Sequence, residues 1–151
     1  MPTLKSLLLQ RECKGGKPEL KVYKDSLGIP TVGIGHKVVS GDKLKLGDTI
    51  DDKRVDEFFT KDTAKAVAAA KSQAAKAGIK DADFIVYLSS VNFQLGTGWN
   101  TIHKKTWKLI MDGNYSEAAD EVGKSKWAKQ TPIRVKDFQS ALLALPQAKK
   151  P

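Results

Sequence analysis

The sequence contains little cysteine, little histidine and no long apolar run, and each shortage excludes a class of protein. The single cysteine, Cys13, excludes an intramolecular disulfide and a cysteine-rich zinc site, and it fits synthesis in a reducing cytosol. Two histidines far apart offer no ligand-spaced cluster, so we expect no metal and no other cofactor. No apolar run approaches the roughly 18 to 20 residues of a membrane span, and the N-terminal run is too short for a secretory signal.

Charge is the unusual feature of an otherwise ordinary composition. The chain has 151 residues, enough to bury one core, and its 26 Lys and Arg outnumber 17 Asp and Glu to give a formal net charge of +9. Such an excess favours a polyanionic partner: a nucleic acid, an anionic membrane or an acidic polymer. Because arginine is scarce and no nucleic-acid motif is visible, a non-enzymatic nucleic-acid-binding module is the weaker interpretation.

Helical and strand patterns follow one another in an order that predicts an α+β fold. Leucines at helical spacing predict a first helix over residues 3–13, and two short β-type runs around a turn cluster predict a hairpin over 20–34. The rest of the chain has helical periodicity, and its predicted helices cover residues 52–77, 82–95, 101–111, 116–123 and 132–145.

The order of these elements predicts a single domain, 1–151, with two lobes. We expect a β lobe over about 14–50, a linking helix over about 52–77, and a helical lobe over about 79–146 that packs with the N-terminal helix. The basic tail over 147–151 is predicted to fray.

Three polar residues near the junction of the first helix and the hairpin point to acid–base chemistry. Glu12 ends the apolar stripe of the helix, where burial disfavours the charged form, whereas Asp25 in the hairpin turn is expected to be solvated and ionised. Thr31 carries a hydroxyl that can orient a water molecule. Glycosidic cleavage uses two carboxyl groups, one as the acid and one to stabilise the transition state or activate water. On spacing alone, however, solvated helix and turn caps explain the same residues.

The hairpin carries a more specific string. Residues 23–36, YKDSLGIPTVGIGH, closely resemble the signature hairpin of the phage-type lysozymes, glycoside hydrolase family 24. In that family a Glu ends the first helix, and a Thr follows the hairpin Asp after five intervening residues, as Thr31 follows Asp25 here. Residues 91–98 are similar to the family's far cleft wall and residues 124–134 to its late helix pair, in the same order along the chain.

The resemblance implies a lysozyme-like fold and an endolysin that hydrolyses the bond between N-acetylmuramic acid and N-acetylglucosamine in peptidoglycan. It implies Glu12 as the general acid, and Asp25 with Thr31 as the groups that position and activate water, with inversion of configuration. Aromatic and amide side chains suit sugar rings, and cations suit peptide carboxylates. The residues predicted to contact the substrate are Tyr23, Gln94, Lys126, Trp127 and Arg134. A position in the core explains Trp127 equally well.

Two departures from the family pattern lie between Glu12 and Asp25. Twelve residues separate these two, more than in the family's best-known members, and we expect the extra residues to form a loop over 14–18. Cys13 stands where the family usually has Gly, and we interpret it as a small buried hydrophobe. Glu19 is the competing acid, but it precedes a strand and lies close to Asp25 along the hairpin, so we prefer Glu12.

The histidines are interpreted as structural rather than catalytic. His36 has no nucleophile in the hairpin to act upon, whereas Asp62 lies on the apolar stripe of the long helix, where a carboxylate needs a partner. The resemblance also implies that these two residues form a pair. His103, in a basic run, is predicted to be a solvated surface group.

Two further expectations concern the reaction type and the route to the substrate. A lytic transglycosylase on a related scaffold is the nearer alternative, but such enzymes manage with the Glu alone, so the presence of Asp25 and Thr31 argues against it. With no signal or anchor segment in the sequence, we expect a monomer in the host cytoplasm that reaches the cell wall through a holin, by analogy with the family.

Overall fold

The chain starts with a short helix and a small sheet and continues as a series of helices. The computed structural model describes residues 3–146. The strands are β1 (Glu19–Lys24), β2 (Pro30–Gly33) and β3 (His36–Lys37). The helices are α1 (Leu4–Glu12), α2 (Asp52–Lys76), α3 (Ala82–Leu95), α4 (Trp99–Ile102), α5 (Lys104–Met111), α6 (Tyr115–Gly123), α7 (Lys126–Gln130) and α8 (Pro132–Ala144). The predicted α+β fold is confirmed.

The predicted helices agree with the observed ones except in one region. Apart from the prediction over 101–111, each predicted helix begins and ends within one residue of an observed helix. The segment 101–111 was wrong as one helix: the structure has α4 and α5, separated at His103, whose φ of −94° and ψ of 59° are not helical. The predicted fraying of the tail over 147–151 lies outside the described residues.

The structure divides the chain within helix α2 into two units, which we call the sheet unit and the helical unit. The sheet unit is Lys5–Ala64, and the helical unit takes in the chain from Lys65 onward. Helix α1 belongs to the sheet unit from Lys5 onward. Its packing with the helical lobe stays a prediction.

The sheet is antiparallel, with strand order β1-β2-β3. Tyr23 pairs with Thr31, and Thr31 pairs in turn with Lys37, so these three residues lie in one row across the strands. Between β1 and β2 the Asp25 amide donates to the Ile29 carbonyl at 2.9 Å, which closes the predicted hairpin turn. Strand β3 was not predicted, because two residues are too few to show the alternation of a strand.

Each unit has a hydrophobic core of its own. In the sheet unit Val22 and Val32 pack with Phe58, which helix α2 supplies. The core of the helical unit is larger; its largest fully buried side chains are Trp99, Phe84, Phe138, Leu88, Ile110 and Leu142. Burial of one such apolar side chain stabilises the fold by about 1.5–3 kcal/mol. No helix within residues 3–146 is long and apolar enough to cross a membrane.

Polar groups inside the helical unit form a closed hydrogen-bond network. The Gln73 side-chain oxygen accepts from the Asn92 amide at 2.9 Å and from the Trp99 indole N–H at 3.0 Å. The Gln73 amide donates to the Asn92 side-chain oxygen at 3.0 Å and to the Thr97 carbonyl at 3.3 Å. Because these buried groups satisfy one another, they fix α2, α3 and the start of α4 together without any charge.

Candidate active site

Glu12 is the last residue of helix α1, and its half-buried side chain lies against the turn between β2 and β3. A Cβ placed on Gly35 would be 3.2 Å from Glu12 Oε2, tighter than most packing contacts, and 3.4 Å from its Cδ, at the limit of ordinary contact. Gly35 also has a φ of +67°, in the left-handed region that favours glycine. Glycine at position 35 therefore lets the predicted acid lie directly on the backbone of the signature hairpin.

Cys13 joins the end of helix α1 to the same hairpin. Its thiol is buried and donates to the Gly33 carbonyl, with 3.6 Å between Sγ and O. Burial, and then the charges of Glu12 and Glu19, raise the pKa of this thiol to about 11. The thiolate is the reactive form of cysteine, so Cys13 is inert near neutral pH, and the interpretation as a small buried hydrophobe is confirmed.

The extra residues between Glu12 and Asp25 form an exposed turn, as predicted. Lys14–Gly16 make a short 3₁₀ turn in which Gly15 and Gly16 have φ values of 74° and 72°. The chain then enters β1 at Glu19, an exposed residue whose carboxylate accepts from the Lys21 amide at 3.3 Å. The insertion is thus accommodated at the surface, before the first strand begins.

Asp25 is held by hydrogen bonds on both carboxylate oxygens. Oδ1 accepts from the backbone N–H groups of Leu27 and Ile29, each at 2.9 Å, and Oδ2 accepts from Lys37 Nζ at 2.6 Å. The hydrogen bond from Lys37 and then that from Ile29 lower the pKa of Asp25, which outweighs the opposite effect of burial. Asp25 is ionised as expected, but the reason differs: its side chain is only 16% exposed, and donors rather than solvent keep it charged.

Tyr23 on β1 has a raised pKa, first because of burial and then because of the charges of Cys13, Glu12, Glu19 and Asp25. Since both glutamates contribute, this shift does not separate them, and the choice of Glu12 over Glu19 stays a prediction.

Thr31 lies in the middle of the sheet, in register with Tyr23. Its side chain is 1% exposed, and its hydroxyl donates to the Ile29 carbonyl at 2.9 Å. With its hydrogen committed in this way, the hydroxyl can meet a water molecule only as an acceptor.

His36 is clamped between two carboxylates rather than one. Nδ1 lies 2.7 Å from Asp62 Oδ2, as the predicted pair requires, and Nε2 lies 2.7 Å from Asp42 Oδ2. The His36 ring stacks on the Phe58 ring with 3.8 Å between their centroids. The guanidinium carbon of Arg54 lies 5.0 Å from the centroid of the Phe58 ring. Both contacts are hydrogen bonds when each ring nitrogen carries a proton, as in the imidazolium ion.

Asp42 is the member of this cluster that sequence reasoning missed. Burial raises its pKa, but hydrogen bonds from the Val39 amide and from His36, together with the charges of His36 and Arg54, outweigh burial and lower it. Asp42 lies in a polar connection without periodicity, so its sequence position gave no signal. Lys37 was missed for a related reason, since its contact with Asp25 depends on the register of the unpredicted strand β3.

The other predicted substrate residues belong to the helical unit. Gln94 donates to the Thr131 hydroxyl at 3.1 Å and accepts from the Trp127 indole N–H at 3.1 Å. Trp127 is 5% exposed and belongs to the core cluster, which favours its core interpretation. Arg134 donates to the Ser90 hydroxyl at 3.1 Å. Lys126 is exposed at the start of α7.

His103 is not the solvated surface group that was predicted. It is partly buried, with ring centroids 5.8 Å from Trp127 and 6.4 Å from Trp99. Burial lowers its pKa. The prediction was wrong because the break between α4 and α5 turns the ring toward aromatic neighbours, which a continuous helix in a basic run does not suggest.

The described residues contain no candidate metal centre. Across residues 3–146 no three histidine, cysteine or acidic side chains form a group that could hold an ion. The sheet unit contains all three predicted catalytic residues, namely the half-buried Glu12, the ionised Asp25 and the buried hydroxyl of Thr31.

Comparison with known proteins gives the same family as the hairpin. Residues 15–140 match the phage lysozyme family. A peptidoglycan hydrolase, gp36, of Pseudomonas phage phiKMV is 31% identical over 118 residues, which cover 78% of this chain but 13% of that protein. A probable T4-type lysozyme of Dictyostelium discoideum is 30% identical over an alignment of 138 residues. The alignment covers 77% of this chain and 81% of that protein. The family match starts after Glu12 and includes Asp25 and Thr31. The chain belongs to the phage lysozyme family.

Proposed function

We propose that this chain is a muramidase that hydrolyses the β-1,4 bond between N-acetylmuramic acid and N-acetylglucosamine in peptidoglycan, for lysis of a bacterial host. Membership of the phage lysozyme family supports a glycoside hydrolase, and the name of the phage relative supports peptidoglycan as the substrate. The observation that carries the proposal is the placement of Glu12 against the Gly35 turn of the same hairpin in which Leu27, Ile29 and Lys37 hold the carboxylate of Asp25.

In the proposed reaction the two carboxyl groups have opposite tasks. Glu12, in its protonated form, donates its proton to the leaving glycosidic oxygen as the bond to the anomeric carbon breaks. Asp25, held ionised by Lys37 and the turn amides, accepts a proton from the water that attacks the anomeric carbon from the other face. Each turnover leaves Glu12 ionised and Asp25 protonated, and proton exchange with solvent restores both. Attack by water on the opposite face gives inversion.

Thr31 and the remaining site residues orient the reactants in this proposal. Because Thr31 gives its own hydrogen to Ile29, it accepts a hydrogen from the attacking water and so orients the water's lone pair. Tyr23 and Gln94 contact sugar rings, and Trp127 supports Gln94 through its indole N–H. In the helical unit Lys126 and Arg134 attract the carboxylates of the peptide stems. The net charge of +9 brings the enzyme to the anionic wall.

The acid is tested by two parallel substitutions. We expect Glu12→Gln to reduce release of reducing ends from purified peptidoglycan by about 10²–10⁴-fold, since an amide has no proton to donate. Glu19→Gln removes the same charge from the competing residue at the start of β1 and should leave most of the activity. Lysis of permeabilised Gram-negative cells by Glu12→Gln at the wild-type rate would refute the assignment, and loss in Glu19→Gln alone would transfer it to Glu19.

The products distinguish hydrolysis from the transglycosylase alternative. Hydrolysis adds water and leaves reducing muramic acid ends, whereas a lytic transglycosylase leaves anhydro-muramic ends. Mass spectrometry of the released muropeptides separates the two, because the hydrolytic product is heavier by one water. Anhydro ends from the wild-type protein would refute the role of Asp25 as a base.

Access to the wall is the part of the proposal that rests on family resemblance alone. We propose that the enzyme accumulates as a monomer in the host cytoplasm and passes to the wall through a holin lesion. Expression in a bacterium with and without a holin checks this: lysis should follow induction only when the holin is present. Size-exclusion chromatography checks the oligomeric state.

A further inference from the structure

Lys37 is the cation in contact with Asp25, the proposed base. It is the last residue of β3, its side chain is 53% exposed, and its Nζ lies 2.6 Å from Asp25 Oδ2. The pairing of Lys37 with Thr31 places it on the row that also contains Tyr23. Directly paired residues of neighbouring strands project to the same face of a sheet, so Lys37 lies on the face of the proposed reaction.

The two oxygens of Asp25 are held in different ways. Oδ1 accepts two backbone N–H groups, from Leu27 and Ile29, which use both of its lone-pair positions and tie it to the hairpin turn. Oδ2 accepts from Lys37, which leaves one lone-pair position of that oxygen for another donor. If Asp25 takes a proton from water, the oxygen that takes it is therefore Oδ2.

We propose that Lys37 is a positioning residue of the hydrolytic reaction: its ammonium group holds Oδ2 of Asp25 so that the open lone pair of this oxygen has one orientation. The inference rests on the proposed function, because it assigns a task to the base of that reaction. A carboxylate attached only through Oδ1 could rotate its other oxygen, and misplacement of a reacting group by about 1 Å costs on the order of 10²-fold in rate.

Lys37 also keeps Asp25 charged. The other titratable groups on the neighbouring elements are Tyr23 on β1, Glu12 at the end of α1 and Glu19 at the start of β1. Lys37 compensates the negative charge of Asp25 directly, since its Nζ lies 2.6 Å from Oδ2. Its hydrogen bond is the largest cause of the lowered pKa of Asp25, so the base stays available as the pH falls.

The test compares Lys37→Met with two other variants. Lys37→Met keeps the length of the side chain and removes its charge, Lys37→Arg keeps the charge, and Lys24→Met removes a charge from the exposed residue next to Asp25 in sequence. Rates on soluble, uncrosslinked peptidoglycan chains give kcat and KM as functions of pH. Melting temperatures of all the variants show that each one is folded.

We expect kcat of Lys37→Met to fall on the order of tenfold to a hundredfold, with KM no more affected than in Lys24→Met. The acid limb of its activity profile should move to higher pH, because Asp25 without its cation takes up a proton more readily. Lys37→Arg should restore most of kcat and the position of the acid limb.

Three outcomes would overturn the inference, and they are distinguishable. If the wild-type protein turns over substrate while kcat and the pH profile of Lys37→Met equal those of Lys24→Met, the role of Lys37 is refuted and the proposed function stays intact. A wild-type protein that releases no muropeptide would refute the proposed function, and the role of Lys37 with it. A carbon-detected NMR titration of the Asp25 carboxyl group adds a readout independent of turnover: an unchanged titration in Lys37→Met would also refute the inference.

Discussion

The sheet unit and the helical unit satisfy their buried polar groups in opposite ways. The sheet unit uses ions: Asp25 with Lys37, and His36 between Asp62 and Asp42. The helical unit relies mainly on neutral amides, as in the network of Gln73, Asn92 and Trp99. Ionic hydrogen bonds depend on protonation, whereas amide hydrogen bonds do not. We therefore expect the proposed chemistry and most of the sensitivity to pH to reside in the sheet unit.

The largest stability effect should come from the amide network. Gln73→Leu removes the partner of the Asn92 side chain and of the Trp99 indole N–H, both buried, and should lower the free energy of unfolding by about 3 kcal/mol. The loss should be the same at about pH 5 and pH 8, since no group in the network titrates there. Denaturant unfolding at both pH values measures it.

The control for this substitution is Lys71→Leu, an exposed position on the same helix. It should change stability by less than about 0.5 kcal/mol. If the loss of stability in Gln73→Leu depends on pH, a titrating group depends on the network. The two units would then not differ in their sensitivity to pH.

A smaller effect is expected in the ion cluster. Asp62→Asn replaces a carboxylate that accepts from His36 at 2.7 Å and should lower the free energy of unfolding by about 2 kcal/mol. Thermal unfolding measures the loss, and peptidoglycan hydrolysis should be little changed.

Asp56→Asn is the matched control, because Asp56 pairs with Lys5 at the surface, at 2.9 Å and with 61% of the Asp56 side chain exposed. Such exposed pairs contribute little, at most about 1 kcal/mol. A melting temperature of Asp62→Asn equal to that of the wild type would refute the stabilising role of the pair.

The smallest expected effect concerns a titrating group in the helical unit. Burial lowers the pKa of His103, so the unfolded chain binds its proton more readily than the folded one. The folded state therefore loses stability as the pH falls below about 6.5, the ordinary value for histidine. His103→Phe keeps an aromatic ring beside Trp99 and Trp127 and should reduce this loss, measured as the change in melting temperature between about pH 7.5 and pH 5.5. An unchanged difference would show that His103 does not contribute.

Much of the fold was readable because it depends on local patterns. Apolar periodicity and punctuation by glycine and proline located most helices to within one residue. The string over 23–36 located Asp25 and Thr31, and Glu12 followed from the end of the first apolar stripe. The partner of His36 on helix α2 was also predictable, since a carboxylate on an apolar stripe requires a donor.

The features that were missed depend on placement across the chain. Lys37 reaches Asp25 through the register of a two-residue strand, and Asp42 reaches His36 from a loop with no periodicity. His103 turns inward because its backbone leaves the helical region between α4 and α5. In each case the neighbouring residues in the sequence do not predict the contact, because the contact forms only where the chain changes direction.

Gly35 has a consequence for anyone who diversifies this sequence. Position 13 tolerates a side chain next to the proposed acid, because Cys13 has extended backbone angles and its thiol fits inside. Position 35 does not, since an added Cβ would lie 3.2 Å from Glu12 Oε2 and the φ of +67° strains any residue but glycine. A randomised library should therefore retain activity at one of two adjoining sites and lose it at the other, although the acid itself is never varied.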